Sequence, residues 1–232
     1  MKIALINENS QAAKNEMICD NLKKVVEPMG HTVYNYGMYT AEDETQLTYV
    51  MNGLLAAILL NSKAADYVVT GCGTGEGAML ACNVFPGVLC GHIVDSEDAY
   101  MFAQINDGNA IALPFAKGFG WGAELRLQYI FEKLFGCESG GGYPKERVVP
   151  EQRNKKILDG VKEITHKDIM TILKTIDQDF LKTAISGEKF QEYFFPNCQV
   201  PEIAEYLKSV LGQFTRNYTQ TTKRGLLTTN KG

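Results

Sequence analysis

The sequence predicts an α/β fold: a three-layer, doubly wound, Rossmann-like core with a mainly parallel sheet of five strands, followed by a helical C-terminal extension. Three observations predict it. Short apolar runs alternate with longer segments of helical periodicity, the loops between them are short, and strand signals stop near residue 150 while helical spacing continues. Strands that alternate with helices form a mainly parallel sheet, which helices cover on both faces.

Five segments have the composition of strands. The run Lys2–Ile6 is apolar after its first residue, and residues 31–36 alternate polar and apolar side chains as a half-buried strand does. Compact apolar runs follow at residues 65–70, 88–94 and 110–113. Polar residues, glycine or proline bound these runs, and such residues end strands. We therefore expect five strands.

Helical segments fill the intervals between these runs. Residues 18–29 carry apolar side chains at helical spacing. Residues 44–62 are apolar on most sides, which predicts a helix buried between layers or against a second subunit. Ser96 is the expected N-cap of a further helix, with acidic residues in its first turn, that ends near Asn106.

The chain is predicted to contain two parts. Residues 1–150 form the Rossmann-like core, and residues 151–232 form a helical extension that packs on the core or on a partner. In the extension, apolar residues recur at helical spacing up to Leu211 without a competing strand signal. Residues 219–232 are polar, so we expect a frayed, flexible tail there.

Composition and charge argue against several classes of function. The net charge of −4 disfavours nucleic acid as a partner, although a local basic pocket for one phosphate stays compatible with it. The longest apolar stretch, residues 54–60, is far shorter than the roughly 20 residues of a membrane span, and the first residues lack an export signal. Six cysteines occur without paired spacing, which favours reduced thiols over disulfides or zinc. We expect a cytoplasmic protein without membrane, nucleic-acid or metal partners.

One loop concentrates the residues of chemical interest. It spans residues 71–77, Gly-Cys-Gly-Thr-Gly-Glu-Gly, directly after an apolar strand and before a helix of small residues. Its alternating glycines let the backbone approach a ligand closely and direct several N–H groups toward it. In an open parallel sheet such a loop lies at the carboxyl edge, where ligands bind. The sequence therefore predicts an anion site at this loop.

Two residues of the loop are possible bases. Cys72 lies among converging amide dipoles near a helix N-terminus, which favours the thiolate. Glu76 falls in the first turn of the helix, where the same amides can hold a carboxylate, and Thr74 between them can relay a proton. Such a site suits removal of a proton from a carbon next to a carbonyl, with glycine amides stabilising the enediolate oxygen. Aldose–ketose isomerisation is that reaction.

A different enzyme class also fits the loop. Gly73-x-Gly75-x-x-Ala78 matches a relaxed dinucleotide fingerprint, and Asp95 lies about 20 residues further on, at the end of the next strand. A dinucleotide-dependent oxidoreductase is therefore an alternative. An inert, buried Cys72 is the alternative at that position, because free cysteines are often buried.

Several motifs, in order along residues 1–150, resemble the family of ribose-5-phosphate isomerase B and galactose-6-phosphate isomerase. They are the opening strand, Tyr36-Gly37-Met38-Tyr39, the loop from Gly71, Ala81-Cys82-Asn83 with Pro86-Gly87, and Asn106-Asp107-Gly108-Asn109. Several separate motifs at matching spacing are more specific than one glycine-rich loop. The resemblance therefore favours an isomerase over a dinucleotide-binding enzyme.

The resemblance implies roles for individual residues. Cys72 matches the catalytic base of one branch of the family and Glu76 matches the base of the other; we favour Cys72 because its glycine-rich context matches the cysteine branch. Thr74 and Asn106 match positions that contact the substrate. The other substrate contacts that we infer are the amides of Gly73, Gly75 and Gly77 and the side chains of Glu8, Asn9, Asp95 and Lys117.

The resemblance also implies partners. Family members are dimers whose phosphate pocket takes basic residues from the neighbouring subunit, and Arg147 matches one such arginine. We therefore expect a homodimer or a dimer of dimers with shared active sites. The implied substrate is a sugar phosphate, the reaction is a proton transfer between carbons 1 and 2 through a cis-enediol, and no cofactor is implied.

The sequence departs from the family at several positions. An Asp-His pair after the first strand is replaced by Glu8-Asn9, and a second phosphate-binding arginine is replaced by Tyr143. The family's ring-opening histidine corresponds to Val94 here. His92 lies two residues earlier on the same face of that strand and is either its substitute or a structural core histidine, the interpretation that we favour. These departures point to a sugar that is largely open-chain or differently phosphorylated, or to spontaneous ring opening, and they leave a non-catalytic sugar-phosphate-binding protein as a further alternative.

Overall fold

The centre of the molecule is a sheet of five parallel strands, seen in a computed structural model that describes residues 1–212. The strands lie in the order β2-β1-β3-β5-β4, and every neighbouring pair is parallel. Their bounds are β1 (Lys2–Ile6), β2 (Thr32–Asn35), β3 (Tyr67–Cys72), β4 (Cys90–His92) and β5 (Ala110–Pro114). The predicted five-stranded Rossmann-like core is confirmed, with β4 shorter than the apolar run 88–94.

Helices cover both faces of this sheet. The core helices are α1 (Asn15–Val26), α2 (Tyr49–Asn61), α3 (Glu76–Asn83), α4 (Ser96–Met101) and α5 (Ala123–Phe135). Helices α1, α4 and α5 pack together on one face, and α2 and α3 pack on the other. All six residues of the central strand β3 are buried, because both of its faces are covered.

Helix α2 is buried around its whole circumference. Residues 51–59 are all buried, which confirms the prediction of a helix buried between layers. It begins at Tyr49 and not near residue 44, because the Thr48 hydroxyl accepts a hydrogen bond from the Met51 N–H at 3.3 Å and so caps the helix.

The extension is helical, as predicted. Its helices are α6 (Val148–Thr165), α7 (Ile169–Thr175), α8 (Gln178–Ile185), α9 (Glu188–Asn197) and α10, over residues 201–212. Helices α7 and α8 contact α2 directly, and buried side chains of α7 to α10 share one hydrophobic core with it. The large side chains that they bury include Leu173, Leu181, Ile185, Phe190, Phe194 and Leu207. Helix α6, in contrast, buries no residue.

The N-cap of α4 is Asp95 and not the predicted Ser96. The Asp95 carboxylate accepts a hydrogen bond from the Asp98 N–H at 2.8 Å, because the helix starts one residue earlier than the acidic pattern suggested. The expected flexible tail, residues 219–232, lies outside the described residues. Within residues 1–212, no helix has both the length and the apolar character needed to cross a membrane.

Candidate active site

The glycine-rich loop lies at the carboxyl edge of the sheet, directly after the central strand β3. Cys72 is the last residue of β3 and pairs with Pro114 at the end of β5. Its side chain is buried, with 9% of its surface exposed. The Gly75 N–H donates to the Cys72 Sγ at 3.2 Å, an interaction that strengthens when the sulfur carries negative charge. A backbone N–H of the loop therefore holds the Cys72 thiol in place.

Gly75 makes this turn possible. Its φ of +82° is a left-handed conformation that side chains disfavour, and a Cβ there would lie 2.8 Å from the His92 ring. His92 supports the loop from behind: its Nε2 lies 2.9 Å from the Thr74 carbonyl oxygen, and since that oxygen can only accept, Nε2 carries the proton. His92 is therefore a positioning residue for the loop.

Several amides of the loop are available to a ligand. Within residues 1–212, the N–H groups of Gly73, Thr74 and Gly77 have no hydrogen-bond acceptor. Glu76 is the first residue of α3 and, like Thr74, is exposed. A short stretch of backbone thus offers several unpaired donors beside a buried thiol and an exposed carboxylate. This arrangement suits an oxyanion.

The segment after β5 is attached to the loop. The Phe115 N–H donates to the Cys72 carbonyl at 2.9 Å, and the N–H groups of Ala116 and Lys117 donate to the Gly73 carbonyl at 3.0 and 2.9 Å. The Lys117 side chain is exposed at this edge. The expected basic residue after the fifth strand therefore lies next to the loop.

Glu8 and Asn9 follow β1 at the same edge but differ in exposure. Glu8 is 3% exposed, and its carboxylate accepts from the Ser10 N–H at 2.9 Å and from the Ser10 hydroxyl at 2.6 Å. It therefore caps the short 3-10 turn Asn9–Lys14. The Asn9 side chain is exposed, and the Asn9 backbone N–H donates to the Leu47 carbonyl at 2.8 Å.

Three residues that sequence reasoning missed lie beside the loop. A Cβ on Gly73 would lie 3.9 Å from the Gln11 Nε2, and the Gln11 Oε1 accepts from the Lys14 ammonium at 2.8 Å. A Cβ on Gly77 would lie 3.4 Å from the Tyr49 ring and 3.7 Å from the Cys72 Sγ. No local sequence signal identifies these residues, because separate elements bring them to the loop.

Asp95 and Arg126 lie where β4 ends. Asp95 is exposed, and its carboxylate is used in capping α4. The Arg126 guanidinium donates to the Gly118 carbonyl at 2.9 Å and also to the Val94 carbonyl. Asp95 thus lies at the expected edge with one carboxylate oxygen already bonded.

Asn106 and Arg147 lie away from the loop in the same chain. Asn106 precedes β5, so the whole strand, about 17 Å for five residues, separates it from the edge that carries Cys72. The segment leading to Arg147 is attached near Asn106, since the Gly140 and Gly142 N–H groups donate to the carbonyls of residues 103 and 104. Both side chains are exposed. One chain therefore does not bring them to its own thiol.

Comparison with known families explains this constellation. A family model described as Ribose/Galactose Isomerase matches residues 3–131, more than half of the chain. The chain belongs to the ribose/galactose isomerase family. A second family model, described as Ribose-5-phosphate isomerase, matches residues 164–210 of this isomerase, within the extension.

Solved structures agree with that assignment. The isomerase is 68% identical to a 4-deoxy-L-threo-5-hexosulose-uronate ketol-isomerase solved with a tartrate, over 91% of this chain and 100% of that chain, with a TM-score of 0.90. It is 55% identical to a ribose-5-phosphate isomerase from Vibrio parahaemolyticus, over 91% and 99%, with a TM-score of 0.89. A type B ribose 5-phosphate isomerase from Trypanosoma cruzi shares the fold at 21% identity, over 70% and 98%, with a TM-score of 0.57.

These matches decide between the enzyme classes that the loop left open. The protein is a sugar isomerase and thus an intramolecular oxidoreductase. The glycine-rich loop is therefore not the fingerprint of a dinucleotide-dependent oxidoreductase. A match over 91% of the chain also includes most of the extension, so the first two relatives share it.

Proposed function

We propose that this isomerase interconverts the aldose and ketose forms of an open-chain, acidic six-carbon sugar, of the kind represented by 4-deoxy-L-threo-5-hexosulose-uronate. The relative that acts on this compound is 68% identical over its full length. The missing ring-opening histidine, together with the substrate chemistry of that relative, is the observation that carries the proposal.

The chemistry of the compound explains why no ring-opening group is needed. A hexose closes its ring when the hydroxyl on carbon 4 or carbon 5 attacks the aldehyde at carbon 1. A 4-deoxy-5-hexosulose has no hydroxyl on carbon 4 and has a ketone at carbon 5, so neither ring can form in this way. Its aldehyde stays available to the enzyme without acid-catalysed ring opening.

Cys72 is the proposed base. Its thiolate removes the proton from carbon 2, and the electron pair of that bond moves to the carbonyl oxygen on carbon 1. The amides of Gly73, Thr74 and Gly77 donate to the resulting enediolate oxygen. The thiol then returns the proton to carbon 1 while the hydroxyl proton on oxygen 2 passes to oxygen 1. No atom or electron is gained or lost overall.

Thr74 and Glu76 are the proposed relay between the two substrate oxygens. Both are exposed at the loop, and the Glu76 N–H lies 3.4 Å from the Thr74 Oγ1. A carboxylate beside the two substrate oxygens can accept the hydroxyl proton from oxygen 2 and return it to oxygen 1. Glu76 is also the alternative base if Cys72 serves only to shape the site.

The site is proposed to be completed by a second copy of the chain. Asn106 and Arg147 match substrate-contacting positions yet lie at the edge of the sheet opposite to Cys72. An exposed apolar stripe, Ile157, Val161 and Ile164, runs along α6, which buries no residue in its own chain. In the proposed homodimer, α6 is covered by the partner, and Asn106 and Arg147 lie at the glycine-rich loop of the other subunit.

Ribose 5-phosphate is the second candidate substrate. The Vibrio parahaemolyticus relative, 55% identical, is a ribose-5-phosphate isomerase, and the model that matches the extension carries the same description. Arg147 is available for a phosphate as well as for a carboxylate. The loss of an arginine at Tyr143 argues for the less highly charged carboxylate.

Deuterium uptake from heavy water tests the proposal. With the uronate, we expect the purified protein to incorporate one deuterium next to the carbonyl, seen by proton NMR, and kcat/KM to exceed that for ribose 5-phosphate by about 100-fold. Exchange with ribose 5-phosphate alone would establish the second candidate. Ligand binding without exchange of either compound would identify a non-catalytic binding protein.

A further inference from the structure

A partly buried cation without an anionic partner lies beside the catalytic loop. The Lys14 ammonium donates to the Gln11 Oε1 at 2.8 Å and to the Phe115 carbonyl, and it lies 4.8 Å from the centre of the Phe119 ring. All three neighbours are neutral. Within residues 1–212, no carboxylate lies within ion-pair distance of Lys14.

This environment is costly for an ammonium in the free protein. Burial lowers the pKa of Lys14, which means that its charged form is less favourable there than in water. A desolvated charge is normally compensated by an opposite charge. Within residues 1–212 the chain supplies hydrogen-bond acceptors but no carboxylate at ion-pair distance, so an anionic ligand would supply the missing opposite charge.

The position of Lys14 joins it to the chemistry. The Phe115 residue whose carbonyl binds Lys14 donates its own N–H to the Cys72 carbonyl at 2.9 Å. Gln11, the other acceptor, lies next to Gly73. The ammonium is therefore linked through Phe115 to the backbone of Cys72, and through Gln11 to the surroundings of Gly73.

Lys14 also has a third N–H group that is available to a ligand. An ammonium has three N–H donors, and two of them are used by Gln11 and Phe115. The third can donate to an anion. The Gln11 Nε2 donates one N–H to the Ser10 hydroxyl at 3.1 Å, and its second N–H can donate to the same anion.

The geometry points to Lys14, supported by Gln11, as the group that binds the anionic end of the substrate from within the same subunit. This inference rests on the proposed function and adds to it a specificity-determining residue. Arg147 of a second subunit would be the additional contact. The shared chemistry is a carboxylate or phosphate oxygen that accepts a charge-assisted hydrogen bond.

Calorimetric titration with three small probes tests the inference directly. Tartrate carries two carboxylates, threitol has the same carbon skeleton without charge, and inorganic phosphate represents the other anion. We expect the wild-type protein to bind tartrate or phosphate, and threitol far more weakly. The anion that binds more tightly indicates which substrate class the site fits.

Three variants separate charge from structure. Lys14→Gln keeps a donor for the Phe115 carbonyl and removes the charge, so the affinity for the preferred anion should fall about 10- to 100-fold. Lys14→Arg should regain much of that affinity. Lys24→Met, on the exposed side of α1, is the matched control and should leave it unchanged.

The enzyme kinetics of the same variants provide the second readout. Lys14→Gln should raise KM for the charged substrate more than it lowers kcat, with thermal unfolding close to wild type. A wild-type protein that binds threitol as well as it binds the anions would overturn the inference, as would a folded Lys14→Gln variant with wild-type anion affinity. If anion binding depends on Lys14 but no isomerisation occurs, the proposed function fails while this inference stands.

Discussion

At the scale of single residues, Cys72 and Glu76 share one loop but occupy different environments. Cys72 is buried and receives an N–H from Gly75, whereas Glu76 is exposed at the start of α3. A base that removes a proton from carbon works best in a site that excludes water. The burial therefore favours the thiol as the group that acts on carbon, with the carboxylate near oxygen.

Replacing Cys72 tests this division of roles. Cys72→Ala should reduce kcat about 100- to 10,000-fold, because a positioned general base contributes that much to proton transfer. Glu76→Gln should reduce kcat less and should change its pH dependence. Steady-state kinetics with circular dichroism as a folding check give both values. A Cys72→Ala enzyme of normal rate would assign the base to Glu76.

Two glycines of the loop make a matched pair for stability. Gly75→Ala should lower the free energy of unfolding by more than about 2 kcal/mol, because a positive φ costs 1–2 kcal/mol and the new Cβ would also meet the His92 ring at 2.8 Å. Gly73→Ala should change it by less than about 1 kcal/mol, since its Cβ would make only ordinary contacts at 3.8 and 3.9 Å. Urea denaturation measures both. Equal effects would contradict the geometry of the turn.

At the scale of elements, the extension covers α2 and also supports the catalytic edge. Phe190 of α9 lies 6.0 Å, ring to ring, from Tyr36 at the end of β2. The next residue, Gly37, accepts the Asn7 N–H at 2.5 Å, just before the turn that carries Lys14. The extension is thus connected to the segment that leads into this turn through Phe190, Tyr36 and Gly37.

A large side chain of α9 measures how much the extension stabilises the core. Phe190 is 2% exposed and stacks on Phe194 with ring centres 4.9 Å apart. Phe190→Ala should therefore cost about 3–5 kcal/mol of unfolding free energy. Phe195→Ala, at a half-buried ring of the same helix, should cost clearly less. If the two variants unfold alike in urea, α9 is not an integral part of the core.

At the scale of the whole molecule, the predicted site residues lie at two opposite edges of the sheet. The thiol lies at the carboxyl edge of the sheet, and Asn106 and Arg147 lie toward the amino edge. We propose that each active site in the dimer takes its base from one subunit and Asn106 and Arg147 from the other.

Mixing two inactive variants tests shared sites. Cys72→Ala and Arg147→Ala each damage both sites of their own homodimer. After joint unfolding and refolding of an equal mixture, half of the dimers should be mixed and one site in each mixed dimer should be intact, which restores about a quarter of wild-type activity. The unmixed variants, treated identically, are the control. No gain on mixing would mean that each site is built within one chain.

The exposed stripe of α6 provides the test of association itself. Ile157 is 58% exposed in the single chain, and a charge placed there would be buried in the proposed interface. Ile157→Asp should therefore shift the protein from dimer to monomer in sedimentation velocity, since burying an unpaired charge costs several kcal/mol. Lys156→Asp places the same residue at an exposed position about 100° around α6 from Ile157, off the stripe, and should leave the dimer intact. A dimeric Ile157→Asp protein would place the interface elsewhere.

The sequence by itself determined the five-stranded α/β core, the helical extension and the position of the glycine-rich loop. These features are local: strand and helix periods, and a run of glycines after an apolar strand, leave a direct mark on neighbouring residues. The capping of α4 by Asp95 instead of Ser96, and the start of α2 at Tyr49 instead of near residue 44, show the limit of such signals at the ends of elements.

Only the tertiary structure decided which residues meet at the loop. Gln11 and Lys14 come from the turn after β1, Tyr49 comes from α2 and His92 from β4. Their places beside residues 72–77 depend on how these elements are arranged around β3. It also separated Asn106 from Cys72, although both belong to the same motif pattern in the sequence. The reason is that the chemistry of a side chain follows from its residue type alone. The distance between two side chains depends on strand order and packing, which no local stretch of sequence determines.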